Sequence, residues 1–215
     1  MSEEASNSRG GKSRSAHMIR TLQDPPIAQA LFGEPRWSWI WLIIRLYVGY
    51  EWLVAGLAKI NNPAWFGPTA GSAITGFVKG ALTKSTGAHP DVQEWYAAFL
   101  QSAVLPNAQF WSYLVTIGEL LVGIALILGI FTGIAAFFGS FMNVNYLLAG
   151  TVSTNPILFT LAIFLVLAWK TAGWIGLDRF ILPALGTPWR PGLIIKSSSP
   201  HEDNLPEELN RQGQA

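Results

Sequence analysis

The first apolar run of this chain, residues 37–58, reads WSWIWLIIRLYVGYEWLVAGLA and is long enough to cross a bilayer, yet it carries Arg45 near its middle and Glu51 further along. A hydrocarbon core about 30 Å thick takes roughly 17 to 25 mostly apolar residues in a helix. An arginine at the centre of such a helix costs roughly 2.5 to 3.5 kcal/mol on insertion scales, so it requires a partner inside the protein or a function. Three more runs of similar character follow at about 108–130, 132–149 and 156–172, the first of them carrying Glu119. The pattern predicts an all-α chain, an integral membrane four-helix bundle.

Half of the 215 residues are hydrophobic and only 13% are charged, and the ten tryptophans crowd the ends of the apolar runs, as interfacial belts require. The net charge of +1 is spread over tails and loops, which gives no basic stripe for a nucleic acid. No cysteine is present, so thiolate chemistry, disulfides and iron–sulfur ligation on this chain are excluded, and the redox compartment cannot be read. The only histidines, His17, His89 and His201, lie outside the runs, so no metal or haem is expected inside the membrane. Neither a dinucleotide-binding glycine pattern nor a Walker sequence occurs. If the chain handles electrons, the redox group is a diffusible ligand, a partner's cofactor, or one held without ligation.

The domain reading is a polar tail over 1–36, expected to be disordered, a membrane domain over 37–174 with an outer loop at 59–107, and an interfacial segment and disordered tail over 175–215. Cations set the orientation: ten of them flank the runs at the two ends of the chain, against Lys59, Lys79 and Lys84 in the first loop, which places both termini in the cytoplasm. No small-residue cleavage site follows the first run, so no removed signal peptide is read. In the loop, Ala73, Ile74, Phe77, Val78, Ala81 and Leu82 share a helical face, as do Val92, Trp95, Tyr96, Phe99, Leu100, Ala103 and Val104. Both are expected to lie as short amphipathic helices on the outer membrane surface. Asp91 and Glu94 have capping-box spacing, and Asn155 before Pro156 predicts the cap of the fourth run.

Arg45, Gly49, Trp52, Gly56 and Lys59 are spaced 4, 3, 4, 3 and form one stripe that faces protein. Glu119, Gly123 and Leu126 share a face of the second run, and Thr132, Ala136, Gly139, Asn143, Tyr146 and Gly150 one of the third. The most economical interior is lined by Arg45, Glu119, Asn143 and Tyr146, with Arg45 paired to Glu119. Two readings stay open for these groups: hydrogen bonds that glue helices together, at about 0.6 kcal/mol apiece, or a ligand site. For Glu51 and Asn145 the packing reading is preferred.

Four fragments in order, Arg45-x-x-x-Gly49-x-x-Trp52-x-x-x-Gly56-x-x-Lys59, Gly118-Glu119-x-x-x-Gly123-x-x-x-x-x-Gly129, Met142-Asn143-x-Asn145-Tyr146-x-x-Ala149-Gly150 and Gly173-x-x-Gly176-Leu177-Asp178-Arg179, resemble the DoxX/DoxD family of small four-helix prokaryotic membrane proteins. The long first loop and the NVNYLLAG stretch are more similar to the DoxD branch, the membrane subunit of thiosulfate:quinone oxidoreductase. The resemblance implies oxidation of thiosulfate to tetrathionate with electrons passed to membrane quinone, in the cytoplasmic membrane and with a DoxA-like second subunit; it leaves room for a homo-oligomer. Joined to the stripes, it makes Arg45 and Glu119 the catalytic candidates and Arg45, Trp52, Glu119, Asn143 and Tyr146 the quinone-binding candidates, with quinone as diffusible co-substrate. Lys59, Lys79, Lys84 and His89 are the candidates for gathering the thiosulfate dianion, although ordinary surface charge accounts as well for Lys79 and Lys84. The alternative function is a non-catalytic membrane subunit that anchors or organises a redox partner.

Overall fold

The computed structural model describes residues 24–186, and no strand occurs among them. The chain runs α1 (Pro26–Gly33), α2 (Ser38–Ile60), α3 (Ser72–Leu82), α4 (Glu94–Phe99), α5 (Ala108–Leu128), α6 (Thr132–Leu148), α7 (Asn155–Leu167), α8 (Trp169–Ala172) and α9 (Asp178–Ala184). A π turn (Leu100–Val104) and a 3₁₀ turn (Leu105–Asn107) join α4 to α5. By length and composition, two helical stretches could cross a membrane: Pro35–Ile60, and Glu94–Leu128, which contains α5. The apolar helices α6 and α7 are shorter.

The tightest pairing is α2 on α5, and small residues make it possible. A methyl group at Gly123 would meet the backbone of Leu53, and one at Gly56 would meet the backbone of Leu120. The two main chains thus approach as only glycine allows, which brings dispersion contacts and polar side chains of facing helices within reach. Helix α6 lies between α5 and α7, and α7 returns to α2, so the four enclose Trp41, Val48, Trp52, Val122, Leu126, Ala136 and Leu165. Large apolar side chains on the outside of all four remain exposed, among them Ile43, Tyr50, Leu121, Ile124, Phe137, Phe141, Ile157 and Leu167. A surface of this kind is not one that water tolerates.

The helical faces read in the loop exist apart from Trp95, which is 64% exposed because it points away from that face, and they turn inward rather than onto a lipid surface. Ile74, Val78 and Ala81 of α3 pack with Val92, Tyr96, Leu100 and Val104 into a second core that is closed by Ala149 at the end of α6. Neither predicted cap forms. Helix α4 begins at Glu94 behind Gln93, and α7 begins at Asn155 itself behind Thr154, each without a side-chain cap. Part of the stretch expected to be disordered is ordered: α1 docks through Trp41, whose Nε1 donates to Leu31 O at 2.8 Å while its ring stacks on Phe32 at 5.4 Å. The tails containing His17 and His201 lie outside the described residues.

At the end of the bundle opposite the α3–α4 layer, where α1 also docks, the segment after α8 folds back under the α5–α6 turn. Leu177 N–H donates to Leu128 O at 3.1 Å and Asp178 N–H to Gly129 O at 2.7 Å. Asp178 is fully buried there and Leu182 nearly so, which makes this segment part of the core rather than only an interfacial turn.

Candidate functional site

Two buried polar clusters sit at opposite ends of the α2 stripe. Arg45 and Lys59 are fourteen positions apart, which is about 21 Å along a helix at 1.5 Å per residue. The predicted pairing of Arg45 with Glu119 therefore does not occur: Glu119 lies level with Lys59, and Arg45 is more than two turns too deep to reach it.

Glu119, 1% exposed, is the centre of the first cluster. Lys59 Nζ lies 2.9 Å from its Oε1 and 2.7 Å from its Oε2, and the Tyr146 hydroxyl donates to Oε1 at 2.7 Å. Each partner comes from a different helix, α2, α5 or α6. Burying a lone carboxylate is costly, and a carboxylate with an ion partner and further donors is the form in which it persists. Lys59 is the member in touch with the surface, its side chain 19% exposed and its ammonium 5.0 Å from the centre of the Trp65 ring. Tyr146 is packed between Trp52, at 6.4 Å, and Phe77, at 6.3 Å. Near this cluster two buried groups have no hydrogen-bond partner among the described residues: Trp52 Nε1, and the amide of Asn143, one turn below Tyr146 on the same face of α6. Orphaned polar atoms of this kind in a native interior ask for a ligand or water.

A cavity of about 620 Å³ opens between α5 and α6 beneath the roof made by α3, α4 and the π turn. Its walls are apolar, with Leu114, Val115, Leu121, Phe138 and Met142 among them, and the residues along it that carry polar side-chain groups are Tyr96, Trp111, Asn145 and Tyr146. The groove thus reaches the residue that holds Glu119. Its volume is that of a small-molecule site.

The second cluster belongs to Arg45. Its Nη2 donates to Ile175 O at 2.6 Å, while Nε and Nη1 are buried without a hydrogen-bond partner among the described residues. Gly129 and Gly176 press against the guanidinium so closely that neither could carry a side chain there. Asp178 supplies the nearby negative charge that Arg45 feels. It also accepts from Phe131 N–H at 2.6 Å and Thr132 N–H at 2.8 Å, capping α6 from a distant part of the chain. The cap holds Phe131 at φ 45°, a left-handed conformation that a bulky residue adopts only when its surroundings impose it.

The anion candidates do not gather. Lys59 is neutralised by Glu119, and Lys84 donates to Gly150 O at 2.7 Å. Lys79 and His89 are exposed on the roof. Of the quinone candidates, Trp52, Glu119 and Tyr146 come together, Asn143 lies on the same inner face of α6, and Arg45 is at the far end. Sequence reasoning missed two roles. Lys59, read as an anion collector, is the counter-ion of Glu119, and Asp178 is the charge opposite Arg45 and the cap of α6. The first had a signal, because Lys59 ends the stripe that Arg45 begins. The second had only the Gly176-Leu177-Asp178-Arg179 fragment.

A search against curated proteins and one against solved structures gave no match. The DoxX family model matches residues 40–151, just over half of the chain and the part that carries α2 to α6 with the Lys59–Glu119–Tyr146 cluster. This chain is a member of the DoxX family.

Proposed function

We propose that the chain is a quinone-linked membrane oxidoreductase subunit in which the α5–α6 groove takes the quinone and the Lys59–Glu119–Tyr146 cluster exchanges protons with its headgroup. The observation that carries this reading is the course of the groove: an apolar slot of about 620 Å³ that ends on a tyrosine bonded to a buried, ion-paired carboxylate. An isoprenoid tail matches the walls. Tyr146 and Glu119 are the groups able to hold or move a proton at the end of the slot, and Lys59 connects them to the surface.

The proposed setting is the inner membrane of a prokaryote, with α2, α5, α6 and α7 all crossing and both termini in the cytoplasm. The exposed apolar faces of these four helices support it, as does the excess of cations in the two ends of the chain. Helix α7 with α8 behind it, and α6 alone, each reach about 26 Å, short but workable for a bilayer that thins around them.

Thiosulfate is the proposed electron donor. Joining two thiosulfate dianions through a new S–S bond releases two electrons, and reducing a quinone to a quinol takes those two electrons and two protons. With no cysteine on this chain, the sulfur chemistry is assigned to a DoxA-like second subunit at the outer face. Arg45 leaves the catalytic list, since its contacts are with the fold.

The test is quinone-analogue reduction by purified protein, alone and with its partner, given thiosulfate. Glu119→Gln and Tyr146→Phe are each expected to lower the rate at least tenfold, in the range that positioned acids and bases contribute, with cooperative thermal unfolding as the check that Tyr146→Phe folds. Wild-type rates in both variants would instead favour a non-catalytic anchoring subunit.

A further inference from the structure

The groove is almost without polar groups, so the few it has decide which headgroup it prefers. Tyr146 has one hydroxyl proton, and it is spent on Glu119 Oε1 at 2.7 Å. Lys59 contacts both oxygens of Glu119, and a carboxylate in that ion pair only accepts, so it takes the tyrosine proton as a hydrogen bond and has none to return. What Tyr146 can offer an occupant is therefore a lone pair.

Tyr96 repeats the arrangement from the roof. Its hydroxyl is 3.0 Å from Asn145 O and 3.1 Å from Asn145 Oδ1, so its proton too is committed. Asn145 Nδ2 bonds Phe141 O at 2.8 Å, which leaves one amide hydrogen for the groove. Trp111 Nε1 is spent on Ala103 O at 3.1 Å, so the side chains of the lining present two acceptors and a single donor.

We infer that, in the ion-paired state of Glu119, the groove selects a headgroup that donates through a hydroxyl, a hydroquinone or other phenol, over one that offers only carbonyl oxygens. This rests on the quinone reading above and adds a preference to it. A quinone carbonyl set against the Tyr146 oxygen places lone pair against lone pair and desolvates both. A hydroquinone hydroxyl makes the bond instead, and Asn145 Nδ2 can serve the oxygen at the other end. Sites built around one hydrogen-bonding polarity reject the opposite one strongly, because a buried group is left unpaired. Within the proposed reaction the ion-paired state is then the one that holds product.

The experiment is equilibrium binding to the full-length protein in nanodiscs, under anaerobic conditions, read by quenching of tryptophan fluorescence. The probes are a short-chain alkyl benzoquinone and its hydroquinone. The wild-type protein is expected to bind the hydroquinone about tenfold or more tightly than the quinone. Tyr146→Phe removes the acceptor, and in it the two affinities are expected to converge through weaker hydroquinone binding, with its thermal unfolding serving as the check that it folds. Equal affinities in the wild type, or tighter binding of the quinone, would overturn the inference while leaving the quinone site in place. Binding of neither probe would remove the site and the inference together.

Discussion

Lys59→Met is expected to destabilise the protein by about 3 to 5 kcal/mol, read as a shift in detergent or SDS unfolding, the magnitude seen when one partner of a buried ion pair is removed. The substitution keeps the aliphatic stem beside Trp65 and removes the ammonium that touches both oxygens of Glu119. Glu119 is 1% exposed on its side chain, so its charge cannot turn to water and only the Tyr146 hydroxyl remains to it. The effect should be asymmetric. Lys59 is 19% exposed and can snorkel toward the surface, so Glu119→Leu should cost less than Lys59→Met. The double variant Lys59→Met/Glu119→Leu should recover much of the loss, because two apolar side chains replace the pair. A cost below about 1 kcal/mol for Lys59→Met, the value of an exposed pair, would mean that the pair is screened by solvent.

Asp178→Ala is expected to cost a similar amount, about 3 to 5 kcal/mol, by another route. The carboxylate accepts from Phe131 N–H and Thr132 N–H, and both donors would be left without it in a buried turn. The same change removes the negative charge near Arg45, whose only hydrogen bond among the described residues is to Ile175 O, and an uncompensated buried cation remains. It also frees Phe131 to leave its left-handed conformation, which loosens the α5–α6 turn. If the two charges are coupled, Arg45→Met/Asp178→Ala will be less destabilised than the sum of the single changes by roughly 1 to 3 kcal/mol. Strict additivity would assign all of the Asp178 effect to the helix cap.

The hydrophobic pattern made the helices legible because span length and inward stripes are local properties. The runs read at 37–58 and 108–130 correspond to α2 and α5, and the 4, 3, 4, 3 stripe is the buried face of α2, with Arg45, Gly49, Trp52 and Gly56 all enclosed. Depth was not legible. Whether Arg45 or Lys59 faces Glu119 depends on the offset between two helices, which Gly56 and Gly123 fix through their contacts with Leu120 and Leu53. Nothing in either helix alone encodes that register. The Asp178 cap was hidden for the same reason, since it joins positions 131 and 178 through the return of the chain after α8. The roof was read as two amphipathic faces, correctly as faces, yet a face does not say what covers it. Here α3, α4 and α6 cover one another.

The central claim, that the α5–α6 groove is the quinone site, is tested most directly by photoaffinity labelling of the full-length protein in membranes with an azidoquinone, followed by peptide mapping. The expected result is label on groove residues such as Val115, Leu121, Phe138 and Met142, displaced by an excess of unlabelled quinone. Displaceable label confined to α7 or to the Arg45 end of α2, or no displaceable label at all, would contradict the account.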